Sequence, residues 1–157
     1  MLPVSYKSIT VDDRYTLQVP DYLKETKALS DEMPLQYENR YQELYLIGQY
    51  QSRSDLVQRG SASTLEGLFD FHLKNLQYDL EEIEVLPADT LRIGGLPAIR
   101  GGLKGHLGKD HIAYRLVVIE GETYVYQLLL WTLADRSKQI PEVMDSIALS
   151  FRELRDQ

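Results

Sequence analysis

The chain has 157 residues, no cysteine, and a formal net charge of -7 from 24 acidic and 17 basic residues. This length predicts one domain spanning residues 1–157, and the missing cysteines exclude disulfides, a thiol nucleophile and cysteine-ligated metals. The acidic balance argues against nucleic-acid binding, and no stretch reaches the roughly 18 apolar residues of a membrane span.

The N-terminal third predicts two β-hairpins with a short helix between them. Two alternating runs turn at Asp12 and Asp13, and the second run ends at Pro20, which has no N–H to give to a strand ladder. Residues 21–29 are predicted as the short helix. Residues 33–51 predict the second hairpin, which turns near residues 38–41.

The middle of the chain predicts a second helix and then two strands. Ser63 and Glu66 have the spacing of a capping box, and apolar residues recur at helical spacing from about Thr64 to Leu80. Residues 81–92 predict the first strand, and the glycine-rich residues 97–106 predict the second.

The C-terminal part predicts a long hairpin and a closing helix. Strands at residues 112–119 and 123–133 are apolar on both faces, so they need cover on both sides and belong at the centre of a sheet. Residues 140–154 have strong helical periodicity. The element order ββ-α-ββ-α-ββββ-α predicts the α+β class: a three-layer α/β/α sandwich around a central, mainly antiparallel sheet.

The glycines between residues 94 and 108 serve the sheet in our interpretation, and they do not bind phosphate. The stretch does not match the Walker motif G-x-x-x-x-G-K-[ST], because five residues separate Gly102 from Gly108 and Lys109 is followed by Asp110. No G-x-G occurs for a dinucleotide fingerprint. We therefore expect Gly101 and Gly105 to let another element pack closely over the strand.

Three groups of side chains are candidates for chemistry, and each has a structural alternative. His72 lies on the apolar stripe of its helix and is interpreted as a core or boundary histidine. The acidic run at residues 81–84 is interpreted as a solvated edge that discourages strand association. His106 and His111 beside Asp110 form either a two-histidine metal site or a polar hairpin tip. We predict no catalytic residues, no metal and no cofactor.

Six basic or potentially basic residues gather within sixteen positions of an otherwise acidic chain, with Asp110 as the only acid among them. They are Arg100, Lys104, His106, Lys109, His111 and Arg115. Strand parity places the first three on one exposed ridge that Lys109 continues, with a gap at Gly102. The set is either a solvated face or a surface that recognises an acidic partner or anionic ligand.

Tyrosine is the dominant aromatic residue, with eleven copies against three phenylalanines. Tyr37, Tyr41, Tyr45 and Tyr50 fall around the second predicted hairpin. Tyrosine buries area while keeping a polar tip, so this group fits either a binding interface or a strand half covered by a helix.

Four stretches resemble the PsbP-like superfamily, which includes a Ran-binding nuclear import factor, DcrB-type lipoproteins and type VI effector chaperones. They are YTLQVPDYL (15–23), GLPAIRGGLKG (95–105), IAYRLVVIEGETYVYQLLLWT (112–132) and VMDSIALSFREL (143–154). Together with the element order they extend the similarity over nearly the whole chain. The resemblance implies an α/β/α sandwich, no shared catalytic residues, and action by binding other proteins.

The function we expect is therefore a non-enzymatic protein-binding or assembly module from a bacterium, with another protein as its partner. The alternative is a carrier of a small ligand or lipid in a pocket between sheet and helix. An enzyme would need a cleft joining His106 or His111 to carboxylates. The first residues are too short for a signal peptide, so we expect a cytoplasmic location, or the bacterial envelope if an upstream signal was trimmed.

Overall fold

The computed structural model describes residues 4–58, 60, 64–135 and 139–154. Ten strands and three helices are defined within these ranges. In chain order they are β1 (Tyr6–Val11), β2 (Tyr15–Pro20), β3 (Lys24–Glu25), β4 (Leu35–Asn39), β5 (Leu44–Ser52), α1 (Arg53–Gln58), α2 (Leu65–Leu76), β6 (Glu81–Ile93), β7 (Leu96–Leu107), β8 (Asp110–Glu120), β9 (Tyr124–Leu133), α3 (Gln139–Leu149) and β10 (Arg152–Glu153). None of the described helices has the length and apolar character that a membrane crossing requires.

A seven-stranded antiparallel sheet forms the middle of the molecule, in the order β3-β4-β5-β9-β8-β7-β6. The long hairpin β8–β9 is central, as its two apolar faces predicted. Tyr126 and Leu128 of β9 enter one buried cluster, whereas Val125 and Leu129 pack with another on the opposite face. The sheet therefore needs a covering layer on each side.

The first covering layer consists of α3 and a second, three-stranded sheet in the order β1-β2-β10. Three buried aromatic rings join this layer to the central sheet. The ring of Phe151 lies 4.9 Å from that of Tyr15 and 5.0 Å from that of Tyr126, centroid to centroid. The first hairpin thus lies in a small sheet of its own, on one face of the large one.

The second covering layer is α2, supported by the short helix α1. Leu68 and Phe69 of α2 pack with Ile99, Val118 and Val125 from three strands of the central sheet. This contact confirms the sandwich that the alternation of apolar residues predicted. Three residues from the C-terminal half of α2, His72, Asn75 and Leu76, line a pocket together with residues of β5, β8 and β9.

The glycines of β7 permit close packing, as the sequence predicted. A Cβ atom built on Gly101 would lie 2.5 Å from Cζ of Phe69, and one built on Gly105 would lie 3.1 Å from Cβ of Leu80. The gap predicted at Gly102 is filled, because a Cβ there would lie 2.1 Å from the carbonyl oxygen of Tyr114 in β8. The neighbouring strand occupies that space.

The short helix predicted at residues 21–29 is wrong. The segment instead contains the two-residue strand β3, which pairs with β4, followed by an irregular loop. The reason is tertiary: the buried amide of Gln36 accepts hydrogen bonds from the N–H groups of Leu29 and Ser30 and donates to the carbonyls of Ser30 and Met33. Only the Leu29 N–H of these groups belongs to the predicted helix, and residues 24 and 25 are instead held by their pairing with β4.

The helix ends also differ from the predictions. Thr64 is the observed N-cap of α2, since its hydroxyl accepts the N–H of Gly67 at 3.0 Å; the predicted cap, Ser63, lies outside the described residues. The predicted ends at Leu80 and residue 154 are too late. The last helix stops at Leu149, after which the chain forms β10 against β2.

Candidate functional site

The six predicted binding residues all lie on β7, β8 and the turn between them. Arg100, Lys104 and His106 alternate along β7 and share the face of the sheet that α3 covers. On β8, His111 is the direct cross-strand partner of His106, and Arg115 is the partner of Gly102. The structure therefore brings the set onto one hairpin, with Lys109 exposed at its turn.

The two arginines are already paired within the protein. The guanidinium of Arg100 donates to both carboxylate oxygens of Asp89, at 3.2 and 2.9 Å. Arg115 forms an ion pair with Asp145 of α3 at 3.1 Å. Their side chains are only 24% and 23% exposed. The arginines tie the edge strand and the helix to the central sheet, and a binding role for them stays a prediction.

An acidic row on the edge strand β6 faces the basic row of β7. Asp89 is the cross-strand partner of Arg100, Glu84 of Lys104, and Glu81 of His106. Residues directly opposite in an antiparallel pair share a face, so opposite charges there stabilise the sheet. The acidic run at residues 81–84 therefore lies on an edge strand, as predicted, and it also complements the charge of its neighbour.

The charge pairing of the predicted strands at residues 81–92 and 97–106 was not predicted, although the sequence contains a signal for it. Gly94 and Gly95 form the two-residue turn between β6 and β7, with φ of 58° and 82°. Two glycines between strand-like runs are a hairpin signal, and the register that follows places residue 89 opposite residue 100. A register slip near Glu82 and another after Leu86 complicate the rest of the ladder.

The outer end of the β7–β8 hairpin, which we call the hairpin end, consists of Lys104, His106, Lys109 and His111. The two imidazole rings stack with centroids 4.3 Å apart and planes within 5°. Nε2 of His106 lies 3.6 Å from a carboxylate oxygen of Glu82. Neither lysine forms an ion pair with any residue that the structure describes.

The two-histidine metal site would need further ligands. Among the described ranges, no three histidine, aspartate or glutamate side chains are grouped so that they could hold a metal ion. The hairpin end thus carries two lysines that form no ion pair among the described residues, and it is set apart from the arginine–carboxylate pairs that join β7 to β6 and β8 to α3.

An aromatic row lies at the same end of the sheet, on the opposite face. It consists of Tyr45, Trp131 and Tyr114, which are direct cross-strand neighbours on β5, β9 and β8. The rings of Tyr45 and Trp131 stack at 5.4 Å, and those of Tyr114 and Trp131 lie 6.1 Å apart. Burial, with a hydrogen bond to Glu43, raises the pKa of Tyr45 to about 12. All three side chains remain half-buried, which leaves part of each ring accessible.

The other tyrosines of the second hairpin have separate surroundings. Tyr37 and Tyr50 pack at the margin of the main core, and the ring of Tyr50 meets that of Tyr124 edge-on at 5.6 Å. Tyr41 is 85% exposed in the turn. The packing of Tyr37 and Tyr50 fits the interpretation of a covered strand, and an interface role for Tyr41 and Tyr45 stays a prediction.

A pocket of about 190 Å³ lies between α2 and the strands β5, β8 and β9. It is lined mostly by apolar residues and also by Gln127 and His72, each of which has a buried polar atom, Oε1 and Nε2, without a hydrogen-bond partner among the described residues. Burial lowers the pKa of His72 below its usual range. The predicted core histidine thus lies on the wall of a pocket that sequence periodicity alone did not reveal.

No protein-family model and no curated protein matches the chain. Solved structures do. The cyanobacterial PsbP protein CyanoP from Synechocystis sp. PCC 6803 aligns with a TM-score of 0.67 and 16% identity, covering 98% of this chain and 95% of its own. A point mutant of the protein Mog1 aligns with a TM-score of 0.64 and 12% identity, covering 96% of both chains.

A third similar structure is LpqN, described as involved in cell envelope biogenesis of Mycobacterium tuberculosis. It aligns with a TM-score of 0.59 and 15% identity, covering 98% of this chain and 93% of its own. At these identities the likeness concerns the fold. The chain has the PsbP-like fold, as the resemblance of its sequence predicted.

Proposed function

We propose that this protein is a non-enzymatic binding module that docks an acidic partner protein on the hairpin end. The proposal rests on which charged side chains of the β7–β8 hairpin form ion pairs within the fold. Arg100 and Arg115 form ion pairs within the fold, whereas Lys104, which lies opposite Glu84, and Lys109 form none among the described residues. In a chain of net charge -7, these two lysines place two positive charges beside the stacked histidines.

The aromatic row supplies apolar contact area for a partner protein, which the charged side chains of the hairpin end do not provide. Tyr114 lies three residues along β8 from His111, on the opposite face of the sheet. A partner that binds around this end of the sheet therefore contacts both the hairpin end and the aromatic row. Interface energy is concentrated in aromatic residues such as Tyr and Trp, whereas exposed charges chiefly accelerate and orient association. The combination favours a protein partner over a simple anion.

The likeness to PsbP-like proteins also supports a binding role. The family resemblance implies no shared catalytic residues and action through other proteins. The same likeness favours no particular partner, so the partner is defined here only by its chemistry: an acidic patch next to an apolar surface.

The proposal is tested with a charge-reversal variant and a matched control. Lys104→Glu/Lys109→Glu reverses the hairpin end. Lys27→Glu/Lys74→Glu makes the same change in net charge at two exposed lysines elsewhere. Each protein is immobilised and exposed to lysate of the source organism, and the proteins retained are quantified by mass spectrometry and then purified for direct binding measurements.

We expect wild type and the control variant to retain the same acidic partner and the hairpin variant to lose it. Because exposed charge pairs contribute about 0.2–1 kcal/mol each, the loss should be largest at low salt. A partner retained equally by all three proteins contradicts docking at the hairpin end. A partner lost equally from both variants shows a response to net charge only, which also contradicts it.

A further inference from the structure

We propose that the fold contains an acid-driven opening: protonation of His72 releases the C-terminal half of α2 from the central sheet and uncovers an apolar row beneath it. This opening lies on the face of the sheet that α2 covers, and it does not depend on a partner protein at the hairpin end. It follows from where α2 is anchored, from the surroundings of the His72 imidazole and from the residues under the helix.

The helix α2 is anchored mainly at its N-terminal half. All of its buried residues lie there: Leu65, Leu68 and Phe69. Phe69 packs so closely on β7 that a Cβ atom built on Gly101 would lie 2.5 Å from its Cζ atom. In the C-terminal half, Leu73 and Leu76 are only partly buried, and a pocket of about 190 Å³ lies between this half and the strands. Local opening occurs where few buried apolar contacts hold a segment, so the C-terminal half leaves the sheet most easily.

The imidazole of His72 has no nearby group that would stabilise a positive charge. Its Nε2 atom is buried and has no hydrogen-bond partner among the described residues. The residues of α2 that share its face, three or four positions away, are all uncharged: Leu68, Phe69, Asn75 and Leu76. The parts of the pocket lining that come from Met33 and from β5, β8 and β9 also contain no charged side chain among the described residues. A buried charge without a partner is far more costly than a buried neutral ring.

The charged residues closest to His72 in the chain and in the adjoining loop lie outside this environment. Asp70 and Lys74 are two positions from His72 on α2 and are exposed, so they do not share its face. Asp31 and Glu32 belong to the loop that carries Met33, but both are exposed and neither lines the pocket. Burial accordingly lowers the pKa of His72 below its usual range.

The direction of the pH effect follows from this difference between the buried and the exposed imidazole. A proton binds the exposed imidazole of the open form more tightly, so acid favours opening. The stability of the closed form is fully present above the ordinary histidine pKa of about 6.5 and is lost as the pH falls below it. A helical segment as short as α2 is not stable away from the sheet, so the released residues unravel.

Opening uncovers a row of three apolar residues on adjacent strands. They line the pocket and are direct cross-strand neighbours on β5, β9 and β8: Ile47, Leu129 and Leu116. The aromatic row lies two residues further along the same three strands, on the same face. The open form therefore presents the apolar row and the aromatic row as one continuous surface, which the closed form divides.

Hydrogen exchange followed by two-dimensional NMR on the full chain labelled with nitrogen-15 tests the opening, at about pH 7.5 and about pH 5. Each amide is compared with an unstructured peptide of the same sequence at the same pH. We expect protection of residues 73–76 to fall by up to about thirtyfold at the lower pH, while Phe69 and the strand β8 change much less. His72→Leu should keep its protection at both pH values. His106→Leu, which removes a histidine on the opposite face of the sheet, should respond as wild type does.

A thiol probe gives a second measurement that needs no change at His72. The chain has no cysteine, so one introduced thiol is labelled without background. Leu116→Cys places it under the C-terminal half of α2, and Val117→Cys places it on the opposite buried face as the control. Relative to a free thiol at the same pH, acid should accelerate labelling of Leu116→Cys alone.

Four results would overturn the proposal. Protection of residues 73–76 changes by less than about twofold between the two pH values, Phe69 and β8 lose protection equally, a folded His72→Leu protein opens as wild type does, or both thiols respond alike. Circular dichroism checks the fold of each variant. If His72→Leu does not fold, the wild-type exchange profile and the thiol comparison decide.

Discussion

Replacing Gln36 by methionine should destabilise the protein strongly, because this one side chain organises the loop between β3 and β4. Methionine has a similar length and no amide. Four hydrogen bonds of 2.9–3.1 Å disappear in Gln36→Met, two accepted from Leu29 and Ser30 and two donated to Ser30 and Met33. The side chain is 6% exposed, so methionine would fill the space of the amide and leave the four backbone groups without these partners.

The size of the effect follows from the number of bonds. A typical intramolecular hydrogen bond contributes about 0.5–1.5 kcal/mol net, which gives a range of about 2–6 kcal/mol for four. The loop lies at the surface, so some of its backbone groups regain water after the substitution. We therefore expect the free energy of unfolding to fall by about 2–4 kcal/mol.

Urea denaturation followed by tryptophan fluorescence measures this change. The midpoint should shift while the m-value stays constant, and the exposed-turn variant Tyr41→Met should leave the midpoint within error of wild type. A loss below about 0.5 kcal/mol would mean that the loop holds its shape without the amide. That result would refute the view that Gln36 organises the loop at residues 29–33.

Three further predictions concern packing and pH. Gly101→Ala should lower the free energy of unfolding, measured by heat or urea, by about 1–3 kcal/mol, because the new Cβ would lie 2.5 Å from Cζ of Phe69. An unchanged free energy of unfolding would show that α2 moves away from β7 at no cost. The pKa of His72 is lowered in the folded state, so stability should fall as pH drops below about 6.5, and His72→Leu should flatten that part of the urea-midpoint profile. Equal slopes would contradict the burial of this imidazole. Burial raises the pKa of Tyr15 and Tyr126 above the usual 10, so their contribution to the free energy of unfolding is present below that pH and is lost as the pH rises beyond it. An absorbance titration should show that these two tyrosines ionise at higher pH than the others, and ionisation of every tyrosine near pH 10 would contradict their burial.

Sequence periodicity was sufficient wherever burial alone determines structure. The two apolar faces of β9 predicted its central position, and the stripe on α2 predicted a helix lying against the sheet. Such a pattern lies within a single helix or strand, so it can be recognised without knowing which other element covers its apolar face.

Prediction failed where a distant side chain decides the local structure. Residues 21–29 have a plausible helical pattern, but Gln36 binds the backbone of their last residue and of those that follow. Likewise, the basic cluster looked free because its compensating acids lie elsewhere in the chain. Asp89 is 11 residues from Arg100, and Asp145 is 30 residues from Arg115.

The pocket could not be predicted from the sequence. His72 and Gln127 lie on a helix and a strand that are separated by three other strands in the chain, and neither residue is unusual in its local context. Only the packing of α2 over the central strands brings both residues to one pocket, where each has a buried polar atom with no hydrogen-bond partner among the described residues.

Hydrogen–deuterium exchange of the complex with the captured acidic partner tests the central claim most directly. Docking at the hairpin end predicts slower exchange in residues 104–114 and around Tyr45 and Trp131, with the exchange of α3 and the small sheet unchanged. Protection confined to α3 and β1–β2, with the β7–β8 turn exchanging as in the free protein, would contradict the account.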